Sequence, residues 1–118
     1  MPTPIAATPP ATTGNITLTV PCNTYSFGNF TYAIATTGNV VINTLTLTNP
    51  RSAGQYVVYI SNTTGTGTIT INGSSTGLTG AKCNYTTAVI LAANITDRAI
   101  LTIAYDGTTA YASCSKYV

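Results

Sequence analysis

Two carboxylates (Asp97, Asp106), two lysines (Lys82, Lys116), two arginines (Arg51, Arg98) and three cysteines (Cys22, Cys83, Cys114) are the whole stock of charged and thiol side chains in this sequence. There is no His and no Glu. Acid–base and nucleophilic catalysis near neutral pH depends on a positioned proton carrier, usually His, Glu, Asp, Lys or Cys. A glycosidase needs two carboxyl groups across a sugar. Only Asp97 and Asp106 are available for that, and Asp106 begins an Asp-Gly turn signal while Asp97 stands beside Arg98 as a surface ion pair. A serine nucleophile would lack a neighbouring imidazole. No Cys lies in a Cys-x-x-Cys motif, so a zinc site is not expected. The thiols read as small buried hydrophobes, with one disulfide and one free thiol as the alternative. One Asp with backbone carbonyls is a poor calcium cage. The inventory predicts a non-catalytic protein without metal or cofactor.

The elements that would carry these residues are strands. Ile16, Leu18 and Val20 alternate with Thr17 and Thr19. Val41, Leu45 and Leu47 share a face opposite Thr44, Thr46 and Thr48. Tyr56, Val58 and Ile60 alternate with Val57 and Tyr59; Ile69 and Ile71 with Thr68 and Thr70. Leu101, Ile103 and Tyr105 alternate with Ile100, Thr102 and Ala104. Period two with β-branched residues is the pattern of half-buried strands. It predicts strands near 15–21, 25–34, 39–48, 55–61, 67–72, 81–85, 88–92, 98–105 and 109–116. Leu18, Leu45, Leu47, Val58, Ile60, Ile69, Leu101 and Ile103 are the expected core. Clusters such as Thr36-Thr37-Gly38-Asn39 and Asn62-Thr63-Thr64-Gly65 read as turns, and Asp106-Gly107 as a tight hairpin turn. Short strands of even spacing with polar turns predict an all-β fold. The expectation is a single-domain antiparallel β-sandwich, jelly-roll-like, of about eight strands. No tandem repeat stands out.

Composition narrows the class further. The chain has 118 residues, enough for one domain. Only 5% are charged against 44% hydrophobic, where a typical domain carries about 25% charged residues. Twenty-six Thr, with Asn, Ser and Gly, take the place of charge. Neutral, hydrated surfaces of this kind suit packed assemblies, where desolvating Lys or Glu would cost free energy. A net charge of +2 with scattered cations does not predict nucleic-acid binding. No apolar run approaches the roughly 18–20 residues of a membrane span, and the N-terminus lacks the basic and apolar regions of a secretory signal. Residues 1–14 hold Pro2, Pro4, Pro9 and Pro10 and predict an extended arm lying on a neighbouring subunit, with residues 15–118 as the folded body. Tyr25, Phe27, Phe30 and Tyr32 fall within eight residues and form a candidate surface contact. Six Asn-x-Ser/Thr sequons, at Asn15, Asn29, Asn62, Asn72, Asn84 and Asn94, read as turn and strand-edge residues.

Between residues 45 and 113 the run LTLTNPRSAGQYVVYISNTTGTGTITING, a Gly-rich link and AVILAANITDRAILTIAYDGTTAYAS resemble small β-sandwich domains of phage tail-fibre heads and viral capsid surfaces. The matching features are Gly54-Gln55-Tyr56 opening a strand, the Thr/Ile strand from Gly67 to Ile71, and the Tyr105-Asp106-Gly107 hairpin followed by Tyr111. The resemblance implies an all-β component of the virion, a homotrimer contacting other capsid or fibre proteins, with no shared catalytic residues. It makes the expected function that of a minor capsid or decoration protein, or a short fibre or spike head. The competing expectation is a carbohydrate-binding or adhesin module that meets a glycan or a host surface receptor.

Overall fold

The computed structural model describes residues 4–23, 28–50 and 53–118. Pro2, Tyr25, Phe27 and Arg51 lie outside them. Among the described residues ten strands follow one another: β1 (Ile5–Ala6), β2 (Gly14–Val20), β3 (Asn29–Ile34), β4 (Val40–Leu47), β5 (Gly54–Asn62), β6 (Ile69–Ile71), β7 (Lys82–Cys83), β8 (Val89–Leu91), β9 (Arg98–Tyr105) and β10 (Ala110–Tyr117). They form a six-stranded sheet A, ordered β1-β3-β5-β9-β10-β7, and a four-stranded sheet B, ordered β2-β4-β6-β8.

The antiparallel jelly-roll sandwich is not what forms. The chain winds as a β-solenoid of about four turns, crossing from sheet A to sheet B and back. β1 lies parallel to β3 and β3 to β5 in sheet A, while β2 lies parallel to β4 and β4 to β6 in sheet B. Ile5 pairs with Phe30 one turn on, and Phe30 with Val58 a turn after that. In sheet B, Ile16 pairs with Ile42 and Ile42 with Ile71 in the same manner. Then the path reverses. β8 runs antiparallel to β6 and β9 antiparallel to β5, and a hairpin adds β10.

The expectation failed for a physical reason. Period two states which side chains face inward; it does not state which strand lies alongside. Segments that look like hairpin turns are corners between the sheets. Each stacks on the equivalent corner of the next turn. Thr37 donates its N–H to the Thr12 carbonyl at 2.9 Å, and their hydroxyls meet at 2.9 Å. One layer on, Thr36 and Asn62 are almost wholly buried. The Thr36 hydroxyl donates to Asn62 Oδ1 at 2.9 Å and accepts the Gly67 N–H at 3.0 Å. Asn62 also accepts the Gly65 N–H at 2.9 Å, and its amide donates to the Gly67 carbonyl at 2.7 Å. Buried polar groups at the corner are thus satisfied by one another, as burial requires. Residues 4–13 belong to this pattern: the Ala7 N–H reaches the Thr31 carbonyl at 2.8 Å, so the proline-rich segment lies on its own chain's second turn.

The core lies between the sheets. Leu18, Leu45, Val58, Ile60, Ile69, Leu101 and Ile103 are buried as expected, and Leu47 is partly buried. Side chains stack in columns along the coil, such as Phe30, Val58 and Leu101 in neighbouring register. Val41 faces the other way. Val40 and Ile42 are inside, and a register shift before Thr44 brings Leu45 back to the core. One extra residue, Asn43, moves the alternation out of phase. Ala88–Asn94 holds strand β8.

Candidate functional site

The structure does not gather the reactive groups. Asp97 and Asp106 flank the eight-residue β9, which sets them roughly 30 Å apart at a strand rise near 3.4 Å per residue. Asp97 is buried; its carboxylate accepts the Ala92 N–H at 3.1 Å and pairs with Lys116 at 3.7 Å. Arg98 donates instead to the carbonyls of Ile95 (2.6 Å) and Asp97 (3.1 Å). Asp106 shapes the β9–β10 turn, which takes four residues rather than two. Its Oδ1 accepts the Thr108 and Thr109 N–H groups at 2.8 and 2.7 Å, which holds its carboxyl below the usual carboxylate range. Gly107 follows with φ of 99°.

Ser113 and Lys116 have the Ser-x-x-Lys spacing, which serves acyl transfer only where the two side chains meet. Both lie on β10, where residues three apart point to opposite faces. Cys22, Cys83 and Cys114 are all thiols, with no disulfide among them. Burial, then the neighbouring Cys83, pushes the Cys114 thiol up to about 12, the reverse of an activated nucleophile. Among the described residues no group of three His, Cys, Asp or Glu could hold a metal ion.

Phe30 and Tyr32, expected at the surface, are fully buried. Phe30 packs on Tyr56 with ring centroids 6.5 Å apart. The Tyr32 hydroxyl donates to the Thr17 carbonyl at 3.1 Å, and burial pushes its pKa up to about 12. Of the proline segment, Pro4 and Pro9 are half-buried and Pro10 is exposed. The sequon residue Asn62 is buried among its corner partners, which leaves no room for a glycan there.

Among the described residues the exposed aromatics stand elsewhere, on the outer face of sheet A: Tyr59 (40% exposed), Tyr111 (45%) and Tyr117 (54%). Register builds this face row by row. Thr31, Tyr59 and Ile100 are successive neighbours across β3, β5 and β9. Ser61, Arg98 and Tyr117 follow across β5, β9 and β10. These residues line a groove of about 440 Å³. At the other end of the face, Lys82, Thr102, Ala104 and Tyr111 border a second hollow of about 330 Å³. Tyr59 and Tyr117 stand about 12 Å apart by strand spacing and rise, with Ile100 and Arg98 between them. The alternation of β5 already turned Tyr59 away from Tyr56 and Val58. The rest of the face needed the β5–β9–β10 pairing, which no local signal discloses.

Such a face has an apolar floor and phenolic tips, with Arg98 at one end, and at the other Lys82 and the Asp106 carboxylate, which accepts the Tyr111 hydroxyl at 3.4 Å. It can bury against a protein or cradle a ring-shaped ligand, and the residues lining its groove include no carboxylate or imidazole to transform one. Comparison with family models, curated proteins and solved structures found no match to this chain.

Proposed function

We propose that this chain is a non-catalytic structural part that acts by occupying a place in a protein assembly, with the virion surface or an appendage as the setting to test first. The observation that carries this is the outer face of sheet A: a grooved sheet surface with few charges and three exposed tyrosines, Tyr59 in register with Ile100. Aromatics enriched over Lys and Glu mark the cores of protein contacts. Thr- and Ser-bearing strands lose little side-chain entropy on docking. The sandwich resemblance lends no support to this reading, because the fold it implied is not formed. The neutral surface does so alone. The test is the solution mass of the full chain, and its co-purification with particles, before and after Tyr59→Ala with Tyr117→Ala. Loss of association with the fold intact supports the proposal. A monomer that is absent from particles overturns it.

The same groove favours one second reading, a glycan-binding module. Two phenol rings flanking Arg98 at disaccharide distance suit a sugar carrying a carboxylate. The chain has no Trp, so its fluorescence comes from eight tyrosines, of which Tyr59 and Tyr117 line this groove. A glycan that changes that fluorescence, and loses its effect in Arg98→Ala, would favour this reading over assembly.

A further inference from the structure

The two ends of the coil stack are built differently. At the far end, sheet B finishes on β8, three residues long and antiparallel to its neighbour, and Asp97 ties off the Ala92 N–H just beyond it. At the near end, sheet B finishes on β2, seven residues long with the sequence Gly-Asn-Ile-Thr-Leu-Thr-Val. Edge strands are normally blunted by charge, proline, bulges or brevity. β2 has no charge and no proline, and the extra residue at its register shift belongs to β4.

The hydrogen-bond phase shows what that edge offers. The Gly14 N–H bonds to the Asn39 carbonyl and the Val20 carbonyl accepts the Thr48 N–H, so the even-numbered residues face β4. The N–H and C=O groups of Asn15, Thr17 and Thr19 therefore point outward, a set symmetric about Thr17. The Thr17 carbonyl already accepts the Tyr32 hydroxyl and keeps a second lone pair. A hollow of about 310 Å³ lined by Ile5, Ala7, Thr19 and Pro21 opens beside the C-terminal end of the strand, and among the described residues no strand pairs with this edge.

We infer that the β2 edge is the docking site for a second copy of this chain, paired antiparallel about a two-fold axis through Thr17. The inference deepens the assembly reading and rests on it. The occupant follows from the geometry. Stacking one copy's near end on another's far end would set a strand of seven against one of three. A two-fold contact must be self-complementary, and an uncharged strand meets itself without like-charge repulsion. In that register Asn15 opposes Thr19 of the second copy and Ile16 opposes its Leu18, so the buried faces run on continuously across the junction.

The test compares sedimentation of the full chain with Thr17→Pro, which removes an outward N–H and no bond to β4. Thr46→Lys is the control, an exposed residue on the inner strand β4 of the same sheet. Wild type and Thr46→Lys should be dimers. Thr17→Pro should need about tenfold or more protein to dimerise, with its circular dichroism and melting retained. Should Thr17→Pro lose its fold, Asn15→Lys takes its place. Thr17→Cys should form a disulfide-linked dimer on mild oxidation that wild type does not. Equal masses for wild type and Thr17→Pro overturn the inference. A trimer indifferent to Thr17→Pro overturns it while leaving the assembly reading standing. A wild-type monomer that pairs only with a strand of another protein overturns it too, as do open-ended fibres broken by Ile90→Lys on β8.

Discussion

Asn62 and Thr36 do more for this structure than their position in turn-like sequence suggests. Each is about 1% exposed, and each is satisfied by a partner from another turn of the coil. Removing one leaves buried polar atoms unpaired, which costs about 1–3 kcal/mol. Asn62→Ala should therefore lower unfolding stability by about 2–3 kcal/mol. The double variant with Thr36→Val should show coupling above roughly 0.5 kcal/mol in urea titrations. Additive losses would show that the corner is not a unit. Tyr32 and Cys114 set an alkaline limit. Their folded pKa values, each raised to about 12, lie above the ordinary 10.0 and 9.0. The native state therefore holds those protons after the unfolded chain has released them. Their contribution is complete below about pH 9 and is lost as pH rises towards 12. Tyrosinate absorbance should show a phenol ionising last, and Tyr32→Phe should flatten the fall of stability above pH 10. Sequence disclosed how small the stock of reactive groups is. It hid Asn62, because its partner Thr36 belongs to a different turn of the coil.

Strands were legible and their neighbours were not. Alternation located nine of the ten elements, missing only the two-residue β1. It failed at Asn43, where one residue resets the phase of β4. Pairing stayed hidden because a corner and a hairpin draw on the same residues, Gly, Asn and Thr. Two glycines of the segment between β6 and β7 separate backbone strain from crowding. Gly77 and Gly80 both have positive φ, 89° and 94°, but only at Gly80 would a β-carbon collide, with the Leu45 carbonyl; at Gly77 there is open space. Backbone strain is thus shared and crowding is not. Gly77→Ala should cost about 1–2 kcal/mol. Gly80→Ala should cost at least about 1 kcal/mol more, since it also disturbs the Leu45 to Thr79 bond beside it. Equal losses in urea melts would show that this corner yields to accommodate a methyl group.

For the molecule as a whole, contacts are mainly between successive turns, so stability should behave as a sum over neighbours. Hydrogen exchange should be slowest in β5 and β9, which have partners on both sides along most of their length, and fastest in the short edge strands β1, β7 and β8. Uniform protection would contradict that gradient. No disulfide joins any of the three thiols, so reductant should leave the melting curve unchanged. A loss of the roughly 2–5 kcal/mol that follows removal of a native bridge would reveal a disulfide. Composition announced the neutral surface. It did not announce the coil, because successive turns differ in length and share no residue-by-residue repeat.

The parallel stacking of turns gives the molecule a direction in which it is mechanically weak. Tension drawn along the stack pulls each ladder open from one end, so its bonds rupture in sequence at low force. Tension drawn along the strands loads every bond of a ladder at once, and rupture must wait for all of them. A particle that anchored this chain with its strands along the line of stress would have a stiff tether. Turned through a right angle, the same chain would unspool turn by turn and absorb work as it did so.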